Sequence, residues 1–248
     1  MVERIWNKFL TERDKQVFEK SGFGAEAGFG KRPALLVIDV SYNFCGDRPE
    51  PILESIKRFH NSCGEYAWES LPHIKMLIDK CHEKKIPVIY TTGTVREDGW
   101  DAGGWAWKNS RTDEDVTAPK TSGFNRDGNE IMDEIAPSPQ DIVIYKHKPS
   151  AFSGTPLSGF LNDLGADSIL VTGTTTSGCV RASVIDAFSN NYRVSVVEEG
   201  CFDRSQASHA INLCDMHAKY ADVVTTEDAL AYVNGLDVEM NIPTGKSL

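Results

Sequence analysis

Short, unbroken apolar runs recur along this chain, with helical patterns in four of the five intervals between them. ALLVID (34–39) is apolar and rich in β-branched residues without alternation, and PVIYTT (87–92), DIVIYK (141–146), SILVTG (168–173), YRVSVVE (192–198) and ADVVTT (221–226) repeat the theme. A strand with one wet face alternates apolar and polar residues, whereas a strand apolar at successive positions is covered on both faces, as in a parallel sheet between helices. The segments LPHIKMLIDKCHEKK (71–85), GTPLSGFLNDLG (154–165), GCVRASVIDAFSNN (178–191) and SQASHAINLCDMHAKY (205–220) have the length and apolar spacing of crossover helices. Successive βαβ units with right-handed crossovers therefore predict an α/β fold: a three-layer α/β/α sandwich on a six-stranded, mainly parallel sheet of Rossmann type. Gly165 is expected to end one helix, and Thr225 with Asp228 to cap the last, TTEDALAYV.

At 248 residues the chain can bury one large core but not two generous ones. We expect a helical arm over residues 1–30, with Ile5, Phe9, Val17 and Phe18 on one amphipathic helix, and a single domain over 31–248. The 26 Lys and Arg against 36 Asp and Glu leave a formal charge of -10, so no global basic field exists to hold nucleic acid or an anionic membrane. No run approaches the roughly 20 apolar residues of a membrane span, and the charged start MVERIWNKFLTERDKQVFEK lacks the apolar core of a signal peptide. These features place the protein in the cytoplasm with a small-molecule partner. Cys45, Cys63, Cys81, Cys179, Cys201 and Cys214 show neither CxxC pairs nor zinc spacing. His73, His82, His147, His209 and His217 show no metal spacing either, so no metal is expected. The acidic stretch RTDEDV (111–116) is expected to be a solvated loop.

Ligands of such sheets bind outside the carboxyl ends of the strands. Three reactive residues fall there: Asp39 after the first strand, Lys146 at the end of DIVIYK, and Cys179 just past SILVTG. In GTTTSGCVRAS the cysteine falls in the first turn of a helix, where the dipole and free N–H groups favour thiolate. Backbone N–H groups of Thr175 and Cys179 could there hold an oxyanion. The same context fits a buried structural cysteine equally well. Asp39 is costly to bury without a partner, and Lys146 is the natural one. Together they form either a structural ion pair or an acid–base pair for the thiol. Trp100, Trp105 and Trp107 occupy a glycine-bearing loop at the same end of the sheet, as a pocket wall, a lid or an oligomer interface.

In order, the motifs VIDVSYNF, IYKHKPSAFSGTPL, GTTTSGCVRASVIDA and EEGCFDRS resemble the isochorismatase-like cysteine hydrolase superfamily over about residues 30–235. The resemblance implies that Asp39, Lys146 and Cys179 are the catalytic set and that the Thr174–Thr175 peptide is cis, its amide joining Cys179 in an oxyanion hole. Isochorismatases acting on vinyl ethers do not use a cysteine nucleophile, and TTGTVREDGWDAGG lacks the histidine of the nicotinamidase metal site. The insert EPILESIKRFHNSCGEYAWE (50–69), the N-terminal arm and the Asp203–Arg204 pair instead resemble the N-carbamoylsarcosine amidohydrolase branch, where an arginine grips the substrate carboxylate. That role passes to Arg204, with a salt bridge to Asp203 as its structural alternative. Asn43, Trp105 and Phe152 are assigned with it to substrate binding. The expected activity is cofactor-free hydrolysis of a small carboxylate-bearing amide or ureido compound such as N-carbamoylsarcosine, by a homo-oligomer, dimer or tetramer. Maleamate-type and biuret-like amides are alternatives, and a catalytically silent binding protein is a different class.

Overall fold

The computed structural model describes residues 4–111 and 124–240; the expected loop at residues 112–116 lies outside them. Six strands, β1 (Pro33–Ile38), β2 (Val88–Gly93), β3 (Ile142–Lys146), β4 (Ser168–Thr174), β5 (Arg193–Phe202) and β6 (Asp222–Val224), pair in parallel in the order β3-β2-β1-β4-β5-β6. The helices are α1 (Glu12–Ser21), α2 (Tyr42–Cys45), α3 (Ile52–Ser55), α4 (Glu65–Glu83), α5 (Trp105–Lys108), α6 (Leu157–Asp163), α7 (Arg181–Ser189), α8 (Gln206–Lys219) and α9 (Thr226–Gly235). The strand order reverses between β1 and β4, so a crevice opens outside their carboxyl ends.

All six residues of β1 are buried, because its two faces feed two cores. Ala34, Leu36 and Ile38 pack with α6, α7 and α8 through Leu161, Val184 and Leu213. Leu35 and Val37 pack with α4 and α9 through Ile74, Ile78 and Val233. Both expected caps form. Gly165, in the left-handed region, donates to Asn162 O while Ala166 donates to Leu161 O, and Thr225 and Asp228 make a reciprocal box. No helix among the described residues is long and apolar enough to cross a membrane.

Four expectations are corrected. First, α4 begins at Glu65, not at 71, and carries Pro72 in its interior; the proline, a good opening residue, gave a false start. Second, the nucleophile's segment opens with a single π-helical turn, Thr176–Val180, before α7 proper. Third, β5 continues to Phe202 through a bulge: from Val171 to Gly173 β4 advances two residues while its partner advances from Val196 to Cys201, which displaces Glu198 and Glu199.

Fourth, the N-terminal apolar residues do not share one helix. Leu10 is extended and Thr11 with Asp14 forms a capping box, so α1 starts at Glu12 and holds no fully buried residue; Phe18 is half-buried while Val17 is 53% exposed. The arm is held by Trp6, 5% exposed, whose ring lies 5.5 Å from that of His217, with Ile5, Leu10 and Phe18 packed against the same core.

Gly173 closes β4 against β1. Its φ is +107°, and a Cβ there would stand 2.1 Å from Ile38 O. We expect Gly173→Ala to cost about 3 kcal/mol or more, seen as a lower urea midpoint at unchanged slope; wild-type stability would show that the two strand ends can part freely.

Candidate active site

Asp39 follows β1 in the left-handed region, at φ +54°, a conformation that aspartate tolerates better than most residues. Its side chain is fixed from two directions. Thr91 Oγ1 of β2 donates to Oδ1 at 2.8 Å, and Lys146 Nζ, from the end of β3, lies 2.7 Å from Oδ2. The ammonium also donates to Lys148 O at 3.1 Å and to Cys179 Sγ at 3.4 Å, so its three protons have three acceptors. The side chains of Asp39 and Lys146 are 3% and 5% exposed, and Cys179 is half-buried. Strands β1 and β3 and the β4–α7 turn thus bring all three expected residues into one cluster at the carboxyl ends of the sheet.

The electrostatics assign a resting state. Burial pulls the Lys146 ammonium down, but Asp39 and then Cys179 outweigh it and hold the group above its ordinary value. Burial pushes the Cys179 thiol up, Asp39 adds to that push, and Lys146 opposes both; the balance is a thiol raised to about 12. The expectation of a helix-favoured thiolate is therefore corrected. Burial and the Asp39 carboxylate thus hold the proton on the sulfur against the pull of Lys146.

A second layer holds the turn. The Thr174–Thr175 peptide is cis. Gly178 N–H and Val180 N–H donate to Thr175 O at 2.9 and 3.2 Å, and Ser183 Oγ donates to Cys179 O at 2.7 Å while accepting from Ala151 N–H. Asp203, 3% exposed, accepts from Ser177 N–H and Arg204 N–H, each at 2.8 Å. Thr176 Oγ1 donates to Phe202 O and lies 2.7 Å from His209 Nδ1. In the sequence Thr176 carried no signal, His209 counted only among histidines without metal spacing, and Asp203 only as a partner for Arg204; the buried position of Asp203 at the end of β5 was the available signal.

The residues assigned to substrate binding divide. Arg204 is exposed and donates from Nη1 to Asn61 O at 2.8 Å; Asp203 uses its oxygens on backbone amides, not on a salt bridge to Arg204. The 50–69 insert reaches the site here, with Cys63 Sγ 3.6 Å from Thr174 Oγ1. Asn43 is buried and donates to Asn129 Oδ1 at 3.0 Å. Asn129, which the sequence did not single out, accepts from Thr92 Oγ1 through its carbonyl at the end of β2. Trp105 is half exposed in α5, on a loop tied beside the Lys146 strand end by an Asp101–His147 contact of 3.0 Å. Phe152 is half-buried, its ring 6.4 Å from that of Tyr192 and packed against the same core cluster as Cys179.

The family model of the isochorismatase domain matches residues 33–228. An N-carbamoylsarcosine amidase of an Arthrobacter species is 29% identical over 91% of this chain and 80% of its own. A maleamate amidohydrolase of Pseudomonas putida is 29% identical over 86% of this chain and 92% of its own. Among solved structures, N-carbamoylsarcosine amidase from Thermoplasma acidophilum aligns with a TM-score of 0.60 and 25% identity, covering 79% of this chain and 97% of that one.

Proposed function

The chain belongs to the isochorismatase family of hydrolases, and from that premise we propose that it is a cysteine-dependent amidohydrolase whose nucleophile is Cys179. The observation that carries the reading is the buried Asp39–Lys146 ion pair with the Cys179 thiol 3.4 Å from the ammonium. A thiol between a carboxylate and an ammonium can lose its proton to one and have its negative charge held by the other as it attacks.

The first step is attack of Cys179 Sγ on the terminal carbonyl of a small amide or ureido substrate, with its proton passing to Asp39. The N–H groups of Thr175 and Cys179 receive the oxyanion. Asp39 then protonates the leaving nitrogen, and ammonia departs from a thioester. Water gives a proton to Asp39 and attacks that thioester, the carboxylic product leaves, and the proton returns to sulfur. From an N-carbamoyl substrate the product is a carbamic acid, which separates into carbon dioxide and the amine. Lys146 remains an ammonium throughout, compensating the anionic states. These steps call on side-chain and backbone groups and require no cofactor.

The preferred substrate is N-carbamoylsarcosine or a related N-carbamoyl amino acid, supported by the similarity to two amidases of that name and by a cation, Arg204, whose neighbour Asp203 holds the nucleophile's turn. Maleamate is the second reading, supported by the similar maleamate amidohydrolase. Both substrates carry a carboxylate, and both are proposed to place it on Arg204 within a cytoplasmic homo-oligomer. Ammonia release across N-carbamoylsarcosine, N-carbamoylglycine, maleamate, biuret and nicotinamide tests the assignment. Arg204→Ala is expected to raise KM for the carboxylate-bearing substrates about 10- to 100-fold with kcat largely retained. Preference for biuret or nicotinamide, or an unchanged KM, would remove Arg204 from this role.

A further inference from the structure

The 50–69 insert carries a turn, residues 61–64, immediately before α4, and two of its residues touch the site. Arg204 Nη1 donates to Asn61 O at 2.8 Å, and Cys63 Sγ lies 3.6 Å from Thr174 Oγ1. Thr174 ends β4, where its hydroxyl donates to Phe202 O at 3.1 Å. One turn therefore meets both the guanidinium assigned to the substrate carboxylate and the strand that leads into the nucleophile's turn. Burial pushes the Cys63 thiol up to about 12, with the Thr174 contact and then Arg204 opposing, so near pH 7 the turn brings no thiolate to that junction.

A buried hydroxyl pair holds the turn from beneath. Ser55 and Ser62 are both 0% exposed, and their Oγ atoms lie 2.7 Å apart. Ser62 Oγ also accepts from Gly64 N–H at 3.0 Å, closing the turn across Cys63. The backbone is tied at two further points, Ser62 N–H to Phe59 O and Cys63 N–H to Phe44 O, each at 2.8 Å. Two alanines would fill the space of the pair with no hydroxyl to satisfy, so core packing alone gives no reason for two serines here.

We propose that Ser62 is a positioning residue for the carboxylate clamp. By pinning the turn it sets where the Asn61 carbonyl holds Arg204, and so how far a substrate carboxylate rests from the carbonyl that Cys179 attacks. This role rests on the proposed seat of the carboxylate on Arg204. An exposed guanidinium on a long stem loses rotamer freedom when it is bound, and a carbonyl that already holds one of its nitrogens reduces that loss. Ser62 thus acts on substrate binding and not on the chemistry of the sulfur.

Ser62→Ala, Arg204→Ala and the double variant, assayed with maleamate and N-carbamoylsarcosine, test the role. Ser62→Ala is expected to raise KM about fivefold or more with kcat within about twofold of the wild type. Iodoacetamide, a small neutral reagent, should alkylate Cys179 at the wild-type rate. In the Arg204→Ala background the same substitution should change KM by less than about twofold, because a residue that acts through the guanidinium has nothing left to place. Should Ser62→Ala fold too poorly to assay, Ser55→Ala breaks the pair from the other side, leaves Gly64 N–H its acceptor, and is held to the same pattern. An unchanged KM, effects that add in the double variant, or a parallel loss of kcat and alkylation would overturn the proposal. A wild type that turns over neither substrate, or an Arg204→Ala protein with the wild-type KM, would overturn the reading of the clamp itself and the role of Ser62 with it.

Discussion

Cys179→Ala is expected to lower ammonia release by about 10⁴-fold or more while leaving the fold intact. The covalent route disappears with the sulfur, and what survives is the rate that binding and the amide donors alone provide. The side chain is half-buried and its loss leaves Asp39 and Lys146 paired at 2.7 Å, so circular dichroism and the thermal midpoint should change little. Intact-protein mass spectrometry supplies the positive control. Quenched during turnover, the wild type should carry an adduct of the acyl or carbamoyl mass on Cys179, and the alanine variant none. Retention of more than about one per cent of the rate would place the thiol among structural cysteines, with Asp39 activating water directly.

The sheet was legible because parallel strands are buried on both faces, and that leaves a mark in composition that no loop imitates. β1 and β4 needed nothing else. β5 was legible only to residue 198, since Glu199 and Gly200 carry no strand signal; the bulge turns Glu198 and Glu199 toward a cavity instead of the core. Pro72 misplaced the start of α4 because an interior proline and an opening proline look alike without coordinates.

Of the site, the positions of Asp39, Lys146 and Cys179 were legible because each is a reactive residue at a strand's carboxyl end. The charge state of the thiol was not. It depends on an aspartate 140 positions away in the chain reaching the sulfur, and on whether burial or the ammonium prevails. Asn129 was illegible for a similar reason: its meaning lies in its contacts with Asn43 and Thr92, and a lone asparagine in a turn-rich stretch carries no trace of either.

Asp39→Asn is expected to move two properties of one sulfur in opposite directions. Turnover should fall about 10³- to 10⁴-fold, because an amide can neither take the thiol's proton nor hand one to the leaving nitrogen. Alkylation of Cys179 by iodoacetamide should become faster. The sign follows from what sets the thiol at about 12: burial first, then the Asp39 carboxylate, both upward, against Lys146 pulling down. Asparagine removes the second push and keeps the pull, so the thiol's pKa falls. At any pH below both values each unit of that fall gives about ten times more thiolate. The wild-type alkylation rate should climb through pH 7–10 without a plateau, and the variant's should lie above it and level off at a lower pH. Lys146 loses one counter-charge but keeps the new thiolate as another, and its own raised value depends on both. The variant should still be less stable, by about 3–5 kcal/mol, so alkylation is to be compared well below its thermal midpoint. A purely structural Asp39 predicts the reverse pattern, with turnover and alkylation falling together as the cluster collapses, and that result would remove the aspartate from the chemistry while leaving its ion pair in the fold.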